Sequence, residues 1–120
     1  MDTSLFTAEG QPVAYICGDL DNTLFLWDGT PVAYLYEEHI YGINGSHLGW
    51  FDGALVWDHQ GRAVGYTRQR LRVLAALEPL KGLRRLIPLK QLREPSPLRP
   101  VLSFQNRSSL ELEQFLADGI

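Results

Sequence analysis

The chain has 120 residues, 45% of them apolar, with 11 Lys and Arg against 14 Asp and Glu and a net charge of −3. That length supports one modest core, and that composition excludes wholesale disorder. No apolar run reaches the roughly 18 residues of a bilayer span, MDTSLFTAEG lacks the basic and apolar stretches of a secretory leader, and the lone Cys17 excludes a disulfide framework or a Cys-based zinc cage. These features predict a cytoplasmic protein with no membrane partner.

Charge is unevenly divided. Residues 1–61 carry nine acids and no Lys or Arg, while residues 62–120 hold all 11 basic residues and five acids, so the halves are −9 and +6. Either the halves attract each other or the basic half meets an anionic partner. The first reading needs no further molecule.

The first half is an internal repeat aligned on Gly10, Gly29, Gly45 and Gly61, with spacings of 19, 16 and 16 residues. Five columns hold through four copies. Three residues after each glycine stands Val13, Val32, Leu48 or Val64, then a small residue (Ala14, Ala33, Gly49, Gly65), then an aromatic (Tyr15, Tyr34, Trp50, Tyr66). Four residues before each glycine is another aromatic (Phe6, Phe25, Tyr41, Trp57), preceded by an aliphatic (Leu5, Leu24, Ile40, Val56).

Each copy reads as a β-hairpin. Glu9-Gly10, Asp28-Gly29, Asn44-Gly45 and Gln60-Gly61 suit two-residue type I′ turns. Such turns set the aromatic at −4 opposite the Val or Leu at +3, and the aliphatic at −5 opposite the small residue on the other face. Both faces are apolar and need cover. The small residues predict close packing by another element, such as a second hairpin near a symmetry axis. GDLDNT, EEH and FDG read as return turns. Strands are predicted near 4–7, 12–16, 23–27, 31–36, 39–43, 47–51, 54–58 and 63–67.

From Leu71 the pattern changes. Pro79, Pro88 and Pro97 are nine residues apart, each followed by Leu and then Lys or Arg, and leucines recur almost every third residue. This proline density prevents a long helix and favours extended or polyproline II backbone. The reading is a short helix over 71–80, then an extended arm over 81–102 with leucines inward and cations outward. A flexible linker fits less well, because linkers are polar. RSSLELEQFLADGI reads as a terminal helix, capped at Ser108 or Ser109 and stopped at Gly119, with Leu110, Leu112, Phe115 and Leu116 as its docking stripe.

LFLWDGTPVAYL, IYGINGSHLGWF, WDHQGRAVGYT, the proline–leucine–basic segment and SSLELEQFL together resemble the 4-fold beta flower domain family, found in bacterial proteins. The resemblance spans nearly the whole chain. It implies four β units about a pseudo-fourfold axis and carries over no functional residue. The predicted fold class is therefore mainly β: four β-hairpin repeats in pseudo-fourfold arrangement, followed by an extended Pro/Leu/basic arm and a short C-terminal helix. Residues 1–120 read as a single domain, with the hairpins in 1–70 and the arm and helix in 71–120.

The chemistry-bearing residues form no catalytic signature. His39, His47 and His59 are 8 and 12 residues apart and occupy different repeat positions, so the symmetry does not gather them into a metal site. Asp19, Asp21 and Asn22 resemble a calcium loop without its later bidentate Glu and read as a solvated turn. Cys17 reads as a packed strand-end residue. The repeated aromatics are core first and a stacking surface for a sugar or base second. The candidate ligand-binding residues are Trp27, beside a turn, with Trp50, Trp57 and His59. The basic segment 62–99 offers Arg84, Arg85, Lys90 and Arg93 as a candidate anion-binding set, though no nucleic-acid module accompanies it. No catalytic residue, metal or cofactor is assigned. The leading expectation is a small non-enzymatic β-repeat binding or scaffold protein that self-associates as a homo-oligomer. The alternatives are nucleic-acid binding through the arm and small-molecule or carbohydrate binding through the aromatics.

Overall fold

The four repeat glycines close the hairpins. In the computed structural model, which describes residues 2–120, their φ angles are +85°, +96°, +89° and +78°. Their N–H groups donate to the carbonyls three residues back, of Thr7, Leu26, Gly42 and Asp58, at 2.9, 2.9, 2.9 and 3.1 Å. The residue before each glycine has negative φ, because among the described non-glycine residues only Asn22 and Glu37 are left-handed. The turns are thus type I turns ended by a left-handed glycine bulge, instead of the expected type I′ pairs.

The strands are β1 (Thr3–Phe6), β2 (Pro12–Ile16), β3 (Thr23–Leu26), β4 (Pro31–Tyr36), β5 (His39–Gly42), β6 (His47–Phe51), β7 (Leu55–Trp57) and β8 (Arg62–Tyr66). They form one antiparallel meander, and Phe6 of β1 pairs with Tyr66 of β8 to close it into a barrel. A ninth strand, β9 (Ser103–Arg107), runs parallel to β8 and was not legible in the sequence. The predicted pairing of the aromatic at −4 with the residue at +3 is corrected. Phe6, Phe25, Tyr41 and Trp57 pair with Pro12, Pro31, His47 and Ala63 at +2, and a bulge takes up Val13, Val32, Leu48 and Val64. A bulge inserts one unpaired residue and reverses the alternation locally. The +3 column therefore joins the −5 aliphatics inside the barrel, while the aromatics face outward.

The interior cluster contains Leu5, Leu24, Val32, Ile40, Leu48, Val56 and Val64, completed by Leu112, Phe115 and Leu116 of helix α1 (Leu112–Ala117). This explains the small residues at +4. A Cβ on Gly49 would stand 2.9 Å from Phe115, and one on Gly65 2.9 Å from Leu112. Helix α1 packs there, and at Gly49 the neighbouring hairpin does too, its Trp57 carbonyl standing 2.1 Å from such a Cβ. The N-cap of α1 is Glu111 without a side-chain bond; Ser108 instead takes the Leu110 N–H at 3.0 Å, and Leu110 is half exposed.

The predicted helix over 71–80 is absent. A single 3-10 turn at Arg68–Arg70 leads into an extended chain that follows the hairpin turns in order. The N–H groups of Ala76, Arg85, Glu94 and Ser103, nine residues apart, donate to the carbonyls of Gly10, Gly29, Gly45 and Gly61 at 2.8, 2.9, 2.9 and 2.9 Å. The nine-residue proline period is thus the spacing between successive hairpin turns. Along this arm the predicted orientation is reversed. Leu74, Leu77, Leu80, Leu83, Leu86, Leu89, Leu92, Leu98 and Val101 are each 92–97% exposed. The residues that follow them, including Lys81, Arg84, Lys90 and Arg93, turn inward onto the outer aromatics. An extended chain with three residues per turn has three faces, and the cations take the one against the barrel because its outer wall is aromatic and its loops are acidic.

Candidate functional site

Tyr15 and Tyr34, the first two aromatics at +5, each seat cations of the arm. Over the first, Lys81 Nζ lies 4.7 Å from the Tyr15 ring centre and Arg84 donates to the Tyr15 hydroxyl at 3.2 Å. Over the second, Lys90 Nζ lies 5.1 Å from the Tyr34 ring and Arg93 donates to the Tyr34 hydroxyl at 3.4 Å. The arrangement repeats with the nine-residue step of the arm. Asp2 and Asp21 close the seats by pairing with Arg84 and Lys90, both at 2.9 Å. The tyrosine hydroxyls hold the Arg84 and Arg93 guanidinium groups protonated beyond the usual arginine range.

The third seat, at Trp50, is different. The arm positions equivalent to Lys81 and Arg84 are Arg99, which reaches instead towards Glu38 at 3.7 Å, and Leu102, which packs with Trp50 and Trp57. Three imidazoles surround Trp50: His47 at 4.8 Å between ring centres, His59 at 5.7 Å and His39 at 6.2 Å. They form a chain, with His39 Nδ1 3.0 Å from His47 Nε2 and His47 Nδ1 3.0 Å from His59 Nε2. Glu94 of the arm accepts the His47 backbone N–H on Oε1 at 2.7 Å, and its carbonyl accepts the Tyr41 hydroxyl at 2.8 Å. Beside this chain lies a cavity of about 440 Å³ lined by His47, Trp50, His59, Glu94, Pro95, Pro97 and Leu98.

A neutral imidazole has one donor and one acceptor nitrogen. The two N···N contacts therefore put all three neutral rings in the same tautomer, and a proton added at one end can leave at the other. The chain accommodates one excess proton; a second forces two N–H groups to face each other. Burial above all, then the neighbouring His59 and His39, pushes the His47 pKa down to about 4 against the pull of Glu94. Four of the six ring nitrogens face one another in pairs instead of a common centre, and among the described residues no group of three or more His, Cys, Asp or Glu is placed to hold an ion.

A family model described as 4-fold beta flower protein matches residues 3–116. The chain belongs to the 4-fold beta flower family. No curated protein and no solved structure matches it, so the beta flower assignment carries a fold and no activity. Among the described residues no helix is long and apolar enough to cross a membrane.

Within this beta flower the candidate residues fall into separate places. Trp50 and His59 line one cavity. Trp57 pairs with Trp50 across the sheet but is fully buried, its Nε1 donating to Asp52 at 3.0 Å. Trp27 belongs to the first seat, half-buried beneath Lys81, with its Nε1 donating to the Pro79 carbonyl at 3.0 Å. Arg84, Lys90 and Arg93 are engaged with tyrosines and acids of their own chain, while Arg85 is exposed and faces Asp28. Asp19 caps its return turn by accepting the Thr23 N–H and hydroxyl at 2.9 and 2.8 Å. The expectation that the histidines stay apart is corrected: His39, His47 and His59 are gathered because neighbouring hairpins are adjacent in the closed sheet. The sequence signal for this site was the departure from the repeat. The residue at +2 reads Pro12, Pro31, His47, Ala63, and the arm residue at each turn reads Ala76, Arg85, Glu94, Ser103.

Proposed function

We propose that this chain is a non-enzymatic scaffold that self-associates through the exposed leucine row of its arm. The carrying observation is that row: nine aliphatic side chains at every third position from Leu74 to Val101, interrupted only by Pro95, each more than nine-tenths exposed. Monomeric soluble proteins rarely expose a continuous apolar patch of this kind. The chain exposes 7138 Å², against about 6,600 Å² for a monomer of its mass. Burying each leucine contributes about 1.5–3 kcal/mol, enough over several residues to offset the cost of association.

A second copy is the occupant the chemistry favours. The row repeats about every 9 Å along an extended chain, and another copy offers the same spacing, so the side chains can interleave along its length. The two apolar hairpin faces are covered within the chain by α1 and the arm, and play no part in this reading. Nucleic acid is disfavoured because Arg68, Lys81, Arg84, Lys90, Arg99 and Arg107 are paired with Glu78, Asp2, Asp21, Glu38 and Glu9 of the same chain.

Light scattering coupled to size exclusion tests the reading. The expected result is an oligomer that persists at 1 M salt, has no excess absorbance at 260 nm, and falls to monomer when Leu83, Leu86 and Leu89 are changed to Ser with the far-UV spectrum unchanged. A 13.6 kDa monomer at every concentration overturns it. Release of bound nucleic acid at high salt replaces it with the nucleic-acid reading.

A further inference from the structure

The fourfold repetition of the arm makes the third seat an informative exception. At the first two seats two arm cations lie on the aromatics, whereas among the described residues no cation lies over Trp50. The arm residue facing the turn is Arg85 at the second hairpin and Glu94 at the third. The seat has thus exchanged positive charge for negative: the cavity of about 580 Å³ at the second seat is lined by Lys90 and Arg93, whereas the cavity of about 440 Å³ at the third has Glu94 and no Lys or Arg in its lining. Among the described residues Glu94 has no ion-pair partner; its recorded side-chain bond is the one that Oε1 accepts from the His47 N–H. Glu78, the other acid of the arm before it, is paired with Arg68 and accepts the Ser4 hydroxyl.

We infer that this cavity binds a guanidinium group supplied from outside the chain. The hydrogen-bonded His47 and His59 rings, with centres 5.2 Å apart and planes 20° from parallel, lie side by side as one flat surface that stands steeply to the Trp50 ring, at 67° and 87°. A guanidinium is planar, stacks on such faces, and engages a carboxylate through its fork of N–H groups. Glu94 supplies that carboxylate at the rim, and Pro95 and Pro97 line the arm side, with Leu98 of the outward row at the edge. His47 remains neutral at physiological pH and does not repel the ligand. The chain itself uses this chemistry at the neighbouring seat, where the Arg93 guanidinium carbon lies 3.8 Å from the Tyr36 ring centre. The inference stands independently of self-association.

Ethylguanidinium chloride is the probe, titrated into the full chain at pH 7.5 and constant ionic strength against potassium chloride. Binding is read by ¹H–¹⁵N spectra of the Trp indole and His ring groups. The expected result is saturable, millimolar binding that moves the Trp50 indole peak and leaves that of Trp27 in place. Glu94→Gln keeps an acceptor for the His47 N–H and is expected to weaken binding roughly five- to tenfold without lowering the melting temperature. A response equal to that of potassium chloride, or equal affinity in wild type and Glu94→Gln, overturns the proposal. So does binding seen only in Arg99→Ala, which would mean that the chain's own Arg99 fills the seat in solution.

Discussion

The carbonyl of Gly29 accepts the N–H of Arg85 at 2.9 Å, and the carbonyl of Leu83 lies only 1.9 Å from where a Cβ on Gly29 would stand. Arm and hairpin are thus fitted backbone to backbone, and the glycine is needed both for its φ of +96° and for the approach. Gly53 separates these two needs, because its φ is +95° but its Cβ direction is open. Gly53→Ala is expected to cost about 1–2 kcal/mol from left-handed strain alone. Gly29→Ala adds about 1–3 kcal/mol of overlap with the arm and exposes residues 81–90 to proteolysis. Urea midpoints and limited digestion of the two variants check this; equal losses would mean that the arm is not held at the turn.

Phe115 reaches the barrel interior where Gly49 leaves room, and a Cβ on that glycine would meet the ring at 2.9 Å. Phe115→Ala is expected to cost about 3–5 kcal/mol through lost burial and the cavity left behind. Denaturant titration reads the loss. A change below 1 kcal/mol would mean that α1 is a removable appendage.

Arg84 combines stacking with pairing. Its guanidinium carbon lies 5.3 Å from the Tyr15 ring centre, its Nε donates to the Tyr15 hydroxyl, and Nη2 reaches Asp2 at 2.9 Å. Arg84→Met keeps most of the apolar stem and is expected to cost about 1 kcal/mol. High salt screens the exposed Asp2 pair more than the contact with the ring. The difference between wild type and variant should therefore shrink, but persist, at 1 M sodium chloride. Complete loss of the difference would assign the whole effect to the ion pair.

The repeat made the eight strands and their order legible, because five columns of side chains had to share two faces four times. It did not reveal the bulge at Val13, Val32, Leu48 and Val64, since a bulge changes which residues face inward without changing their hydrophobicity. Leucine burial is the usual rule for a foldable segment, and it failed along the arm because the wall beneath is a row of aromatics that cations can stack on. The site was half legible. Trp50 and His59 stood out as residue types, but His39, His47 and Glu94 acquire meaning only when adjacent hairpins and the arm are laid side by side. The fourfold pattern held the clue in the places where it is broken.

His47 makes acid stability a test of the histidine chain. Its pKa is pushed down to about 4 in the folded protein, against 6.5 for an unperturbed imidazole. Above pH 6.5 neither state takes up the proton, so His47 exerts no pH-dependent effect. As pH falls below 6.5 the unfolded chain binds a proton that the folded chain refuses. Stability then declines by about 1.4 kcal/mol per pH unit until the folded pKa is reached. The carboxylates Asp19, Asp28, Asp52 and Glu78 have lowered pKa values, held down by hydrogen bonds from Thr23, Thr30, Leu55 and Ser4 against the opposing effect of burial. Their stabilisation is present above the unfolded carboxylate range and is lost as pH falls through it, from about pH 5 downward, so His47 acts alone only between pH 6.5 and 5. His47→Gln removes the imidazole and is expected to flatten the urea midpoint between pH 6.5 and 5 while leaving the steeper acid limb below pH 4.5. Parallel profiles for wild type and variant across that window would mean that His47 takes its proton as freely folded as unfolded, and that the chain of imidazoles does not hold it neutral.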